Sequence, residues 1–133
     1  MAFEKEIQDF LAGDVYAVVG ASKDRAKYGN KVLRCYQQNS RTVHPVHPKE
    51  TEIEGLACHA NLGSVPGPVH GISIITPPKI TEAVVEDAAK NGIRHVWMQP
   101  GAESPEAIQK AKDLGLSVIA GGPCLLVQLG YRE

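Results

Sequence analysis

The run Val15-Tyr16-Ala17-Val18-Val19, followed at once by Gly20-Ala21-Ser22-Lys23, limits what this chain can become. Apolar and aromatic residues rich in β-formers predict a strand buried on both faces. That strand delivers the backbone into a turn of small residues. Gly20 and Ala21 carry almost no side chain, so a ligand can approach the main chain there and free N–H groups can cradle an anion. Ser22 adds a hydroxyl and Lys23 a positive charge, both suited to phosphate oxygens. Taken alone, the same residues also make a plain strand-to-helix turn, so the rest of the chain has to decide.

The rest alternates strands and helices. Phe3, Ile7, Phe10 and Leu11 recur at helical spacing and stop before Gly13. A second helix is expected from near Asn30 to near Asn39, with Val32, Leu33 and Tyr36 on its buried face. Thr42–Val46 reads as a strand, residues 56–58 as a short edge strand, and residues 61–68 as loop. Residues 72–76 form another apolar strand, and Pro77-Pro78 starts a helix on Ile80, Ala83, Val84 and Ala88 that Asn91-Gly92 ends. His95–Met98 is the next strand. Ser104 caps a helix with Pro105 in its first turn and Ala107, Ile108, Ala111 and Leu114 as its stripe. Residues 116–120 give a last strand before Gly121-Gly122-Pro123-Cys124 and a short apolar tail helix.

Nearly continuous apolar strands separated by helices mean an α/β fold: a Rossmann-like, doubly wound, mostly parallel sheet of five or six strands with helices on both faces. Residues 1–133 are expected to make one domain, with Val15–Val19 central and the 72–76 strand beside it. Winding reverses between those two strands. The exit loops at 20–23, 76–78 and 99–101 would therefore line a crevice where a nucleotide sits.

Composition excludes other partners. A net charge of -1 and 5% aromatic residues supply neither the field nor the stacking platform that nucleic acid needs. No apolar run is long enough to span a membrane, and the first residues lack the form of a signal peptide. Cys35, Cys58 and Cys124 are widely spaced and form no Cys-x-x-Cys pair, which suits reduced thiols and a cytoplasmic location.

The loop is not the Gly-x-Gly-x-x-Gly of an NAD site, and the second strand ends in Val46-His47-Pro48-Lys49 with no acid at its tip. A Walker loop is also absent. Lys49 stands where an acid would be, and a cation there suits a phosphorylated ribose, which NADP and coenzyme A share.

The runs Val18-Val19-Gly20-Ala21-Ser22, Pro45-Val46-His47-Pro48, Thr76-Pro77-Pro78, Val96-Trp97-Met98-Gln99-Pro100-Gly101 and Gly122-Pro123-Cys124 resemble, in order, the small stand-alone CoA-binding proteins. That family is similar to the N-terminal CoA-binding domain of the succinyl-CoA synthetase α subunit. The resemblance implies a coenzyme A or acyl-CoA ligand. It assigns Gly20, Ala21, Ser22 and Lys23 to the pyrophosphate and Lys49, after Pro48, to the 3′-phosphorylated adenosine. Thr76 and Pro77 would lie alongside the nucleotide, and Met98, Gln99, Pro100 and Gly101 near the pantetheine arm. Many members read Pro-Val-Asn-Pro, so the role of His47 is open. The chain is too short to hold the synthetase's phosphohistidine domain, and ligase activity is not implied.

No nucleophile–base–acid set emerges. His44, His47, His59, His70 and His95 read as structural or surface residues, with no metal. Trp97 reads as core packing. Cys124 is either a buried hydrophobe or a thiol near the crevice able to form a mixed disulfide. Glu103 and Glu106 are explained by a helix start. The expectation is a non-catalytic binding module for a small nucleotide ligand, a monomer or weak homodimer. An NADP-dependent oxidoreductase and a CoA-responsive regulatory interaction protein are the alternatives.

Overall fold

The computed structural model describes residues 3–133. Five parallel strands form one sheet: β1 (Val15–Val19), β2 (Thr42–Val46), β5 (Gly71–Ile74), β6 (His95–Met98) and β7 (Ser117–Ile119), in the order β2-β1-β5-β6-β7. The order steps outward from β1 in both directions. The winding therefore reverses between β1 and β5, as the sequence requires, and the chain has the Rossmann-like α/β fold.

Helices α1 (Glu4–Leu11) and α2 (Tyr28–Gln38) cover one face; α3 (Pro78–Lys90) and α4 (Pro105–Asp113) cover the other. Side-chain alternation along β1 feeds the two layers differently. Tyr16 and Val18 enter a layer holding Phe10, Tyr36 and Trp97, whereas Ala17 and Val19 enter an aliphatic layer with Ile72, Ile74, Val85 and Met98. In the aromatic layer the Phe10 ring meets Trp97 edge-on at 5.2 Å, and Tyr16 stacks on Tyr36 at 4.9 Å. Those separations are the preferred geometry of aromatic pairs. Trp97 is fully buried, as core packing requires.

Local signals hold where they are strongest. The Ser104 hydroxyl accepts the Ala107 N–H at 3.0 Å with Pro105 in the first turn, and Pro78 opens α3. Two expectations need correction. The 56–58 segment is not an edge strand of the main sheet. Leu56–Ala57 (β4) pairs antiparallel with Glu52–Ile53 (β3) in a separate hairpin, and His59 alone bridges to Val46 beside β2. Its tight turn is set by Glu54 and Gly55, both with positive φ, too short a device for periodicity to reveal. Helix α2 begins at Tyr28 rather than Asn30, because the Lys27 carbonyl already accepts the Asn30 N–H at 3.1 Å and the Lys31 N–H at 3.2 Å.

Candidate ligand site at the carboxyl end of the sheet

The β1 exit loop is shaped by two glycines. Gly20 has φ 96°, its N–H donates to the Val46 carbonyl at 3.2 Å, and a β-carbon on it would stand 2.0 Å from the Ile75 carbonyl oxygen. Only glycine fits that conformation and that gap. Gly29, in the first turn of α2, is pressed against the same loop from the other side. No side chain caps the N-terminus of α2, so its leading N–H groups stay available at the positive end of the helix dipole.

Asn30 locks this arrangement. Its side chain is fully buried, and its amide donates at 2.9 Å both to the Ser22 carbonyl and to a Glu54 carboxylate oxygen in the β3–β4 turn. The Asn30 hydrogen bond to Glu54, then that from Arg25, hold the Glu54 carboxyl below the usual carboxylate range. The Ser22 hydroxyl oxygen accepts the Asp24 N–H at 3.1 Å, which leaves its hydrogen uncommitted among the described residues.

A cleft of about 620 Å³ opens on this loop. Gly20, Ala21, Ser22, Tyr28 and Gly29 form one end. Leu62, Ile80 and Val84 add apolar walls, and Asn61 and Asp87 are also in the lining. Asp87 stands nine residues after Pro78 on α3, about 13 Å along a helix axis. Pro48, Thr76, Pro77, Lys27 and His47 are among the remaining wall residues. The imidazole Nδ1 of His47 accepts the backbone N–H groups of Lys49 at 3.0 Å and Glu50 at 3.3 Å. It thus folds the β2 exit loop as a side-chain amide oxygen would, with its ring proton on Nε2.

A second cleft of about 550 Å³ shares Tyr28, Ile75, Thr76 and Pro77 with the first and adds Pro100, Gly101, Ala102 and Cys124. The Tyr28 hydroxyl lies 3.2 Å from Gln99 Oε1 and 2.5 Å from Cys124 Sγ. Burial, and after it the bond to the Cys124 sulfur, push the Tyr28 hydroxyl well above its ordinary range, so it keeps its proton. Gln99 also accepts the Leu125 N–H at 3.0 Å and donates to Ser73 Oγ at 3.3 Å, where the Tyr36 hydroxyl meets it at 2.8 Å.

Of the residues singled out from sequence, Gly20, Ala21, Ser22, Pro48, Thr76 and Pro77 line the first cleft, and Pro100 and Gly101 the second. Lys23 stands outside the lining and pairs with Glu50 at 3.3 Å, tying two exit loops together. Lys49 is exposed just beyond Pro48 and, among the described residues, makes no ion pair. Met98 and Gln99 are fully buried beneath the floor. Gly29 and Asn30 were unmarked as site residues in the sequence, and their partners lie up to 24 residues away. The Tyr28-Gly29 pair directly after Lys27, in a stretch that also holds Lys23 and Arg25, was the available signal.

Among the described residues no group of histidine, cysteine and acidic side chains is placed to hold a metal, and no helix is long and apolar enough to cross a membrane. The Archaeoglobus fulgidus ADP-forming acetate–CoA ligase I is 27% identical over 121 residues, covering 84% of this chain and 18% of the ligase. The chain thus spans less than a fifth of the length of such curated relatives. Among solved structures, a conserved hypothetical protein from Pyrococcus furiosus superposes with a TM-score of 0.83 at 37% identity, covering 87% of this chain and 99% of that one. The dinucleotide-forming acetyl-coenzyme A synthetase 1 of Ca. Korarchaeum cryptofilum, in complex with phosphate and ADP, gives a TM-score of 0.72 at 29% identity, over 80% of this chain and 25% of that one. The family profile described as CoA binding domain matches residues 14–130, and the chain belongs to that family.

Proposed function

We propose that this protein binds coenzyme A as a non-catalytic module. The observation that carries this reading is the glycine-built loop at Gly20–Ser22, backed by the uncapped start of α2 where the winding reverses. A diphosphate there meets backbone N–H groups and the Ser22 hydroxyl. The apolar walls at Leu62, Ile80 and Val84 take the adenine, with Asp87 and Asn61 as polar partners for its edge. Lys49, without a carboxylate partner among the described residues, faces the 3′-phosphate from beyond Pro48. Asp87 does not oppose this assignment, because it stands nine residues along α3 from Pro78.

Lys27, His47 and Asp87, the ionisable side chains that line the cleft besides the Tyr28 phenol, make no hydrogen bond or ion pair with one another among the described residues, and the ligase relatives match this chain over less than a fifth of their length. Binding without turnover is the reading that fits both facts. Three free thiols suit a reducing, cytoplasmic setting. Calorimetric titration with coenzyme A, dephospho-coenzyme A and NADP tests it. Coenzyme A binding tightest supports the proposal; NADP binding tightest, or nicotinamide-dependent turnover, replaces it with an oxidoreductase.

A further inference from the structure

The second cleft does more than extend the first. We infer that it seats the thiol end of the coenzyme and selects a short, uncharged acyl thioester over the bare thiol or a carboxylated acyl chain. This deepens the coenzyme A reading and rests on it. Tyr28, Ile75, Thr76 and Pro77 belong to both clefts, so a flexible arm leaving the first has a protein wall along its way into the second. The remaining walls, Pro100, Gly101, Ala102 and Cys124, bring no charge.

A group bonded to the wall residue Gly101 is anionic. Glu103 accepts the Gly101 N–H at 2.9 Å through one carboxylate oxygen and the Gly121 N–H at 3.3 Å through the other. A carboxylated acyl chain in this cleft would lose hydration, find no cation among the lining residues, and meet that negative charge at the edge. Methylene groups of a neutral chain would instead leave water for an apolar surface. Cys124 stands in the wall as a built-in reporter of occupancy.

The experiment is competition titration of the full chain with coenzyme A, acetyl-, butyryl- and succinyl-coenzyme A. Adenosine 3′,5′-bisphosphate, which lacks the arm, monitors the first cleft alone. Butyryl-coenzyme A is expected to bind about three- to tenfold tighter than acetyl-coenzyme A, and succinyl-coenzyme A about tenfold weaker than butyryl. Butyryl-coenzyme A should also slow maleimide labelling of Cys124, read by peptide mass mapping, whereas the bisphosphate should not. Cys124→Leu, which fills the cleft, should flatten the acyl series and leave bisphosphate binding intact. Equal affinities across the series with the bisphosphate still bound, or succinyl-coenzyme A binding tightest, overturn the inference alone. Failure of every compound, the bisphosphate included, overturns the coenzyme A reading and this inference with it.

Discussion

Gly29 and Gly20 are packed so closely that a β-carbon on Gly29 would stand 2.2 Å from the Gly20 carbonyl oxygen. The partner atom is backbone, so no side-chain rotation can relieve the clash. The first turn of α2 is therefore seated on the loop that it helps to form.

Gly29→Ala is expected to push the helix start off the loop, at a cost of about 1–3 kcal/mol, typical of overpacking a tight site. Urea unfolding measures the stability loss. Titration under folded conditions should show coenzyme A affinity falling at least as far as stability predicts, because the displaced N–H groups no longer converge. A variant with unchanged stability and affinity would mean that the loop adapts freely.

Lys49 and Ser22 should separate by ligand. Lys49→Ala is expected to weaken coenzyme A by about ten- to a hundredfold, the loss of one charge-assisted contact, and to leave dephospho-coenzyme A nearly untouched. Ser22→Ala should weaken both ligands alike, since both carry the diphosphate. Calorimetry on the pair of variants distinguishes the two contacts. A Lys49→Ala protein that still discriminates the 3′-phosphate would move that contact elsewhere.

Tyr28→Phe should free the thiol at the second cleft. The phenol is bonded to Gln99 Oε1 and Cys124 Sγ, whereas Gln99 Oε1 keeps the Leu125 N–H without it. The expected result is a modest stability loss of about 1 kcal/mol for the hydrogen bond, with faster maleimide labelling of Cys124. Labelling at the wild-type rate would show that Tyr28 does not shield the sulfur.

Acid should weaken the fold from the opposite edge of the sheet. His70 stacks on His95 at 4.4 Å, His95 Nδ1 is buried without a hydrogen-bond partner among the described residues, and His70 Nε2 is 2.8 Å from the Asp9 carbonyl oxygen. Arg94 and Asp14 line the same groove. Burial, then the neighbouring His70, hold His95 below its ordinary value; burial, then His59, do the same to His44. A depressed histidine is neutral in the folded protein while the unfolded chain still takes up a proton. Stability is thus full above the ordinary histidine value of roughly 6.5 and declines as pH falls through it toward the depressed folded values. Chemical denaturation across that range should show the decline, and His95→Asn should reduce its slope. An unchanged slope would assign the effect to His44.

The sequence disclosed those parts of the molecule whose causes are local. Val15–Val19, the Pro78 start and the Ser104-Pro105 cap each carry their own signal within a few residues, and each lies where it was expected. The small-residue loop was legible for the same reason. Its supports were not. Asn30 reaches Glu54 across a hairpin whose strands are two residues each, too short to show any period. Lys23 looked like a phosphate ligand because its nearest charged partner, Glu50, lies in another exit loop. Met98 and Gln99 were expected near the arm; both side chains are fully buried, Met98 in the aliphatic layer and Gln99 against Ser73 and the Tyr28 hydroxyl.

The carboxylate of Glu103 fastens Gly101 to Gly121, two glycines from the exits of different strands. Glycine hinges that could have swung apart are thereby made to travel as one piece. A guest entering the second cleft therefore meets a wall already braced on its Gly101 side.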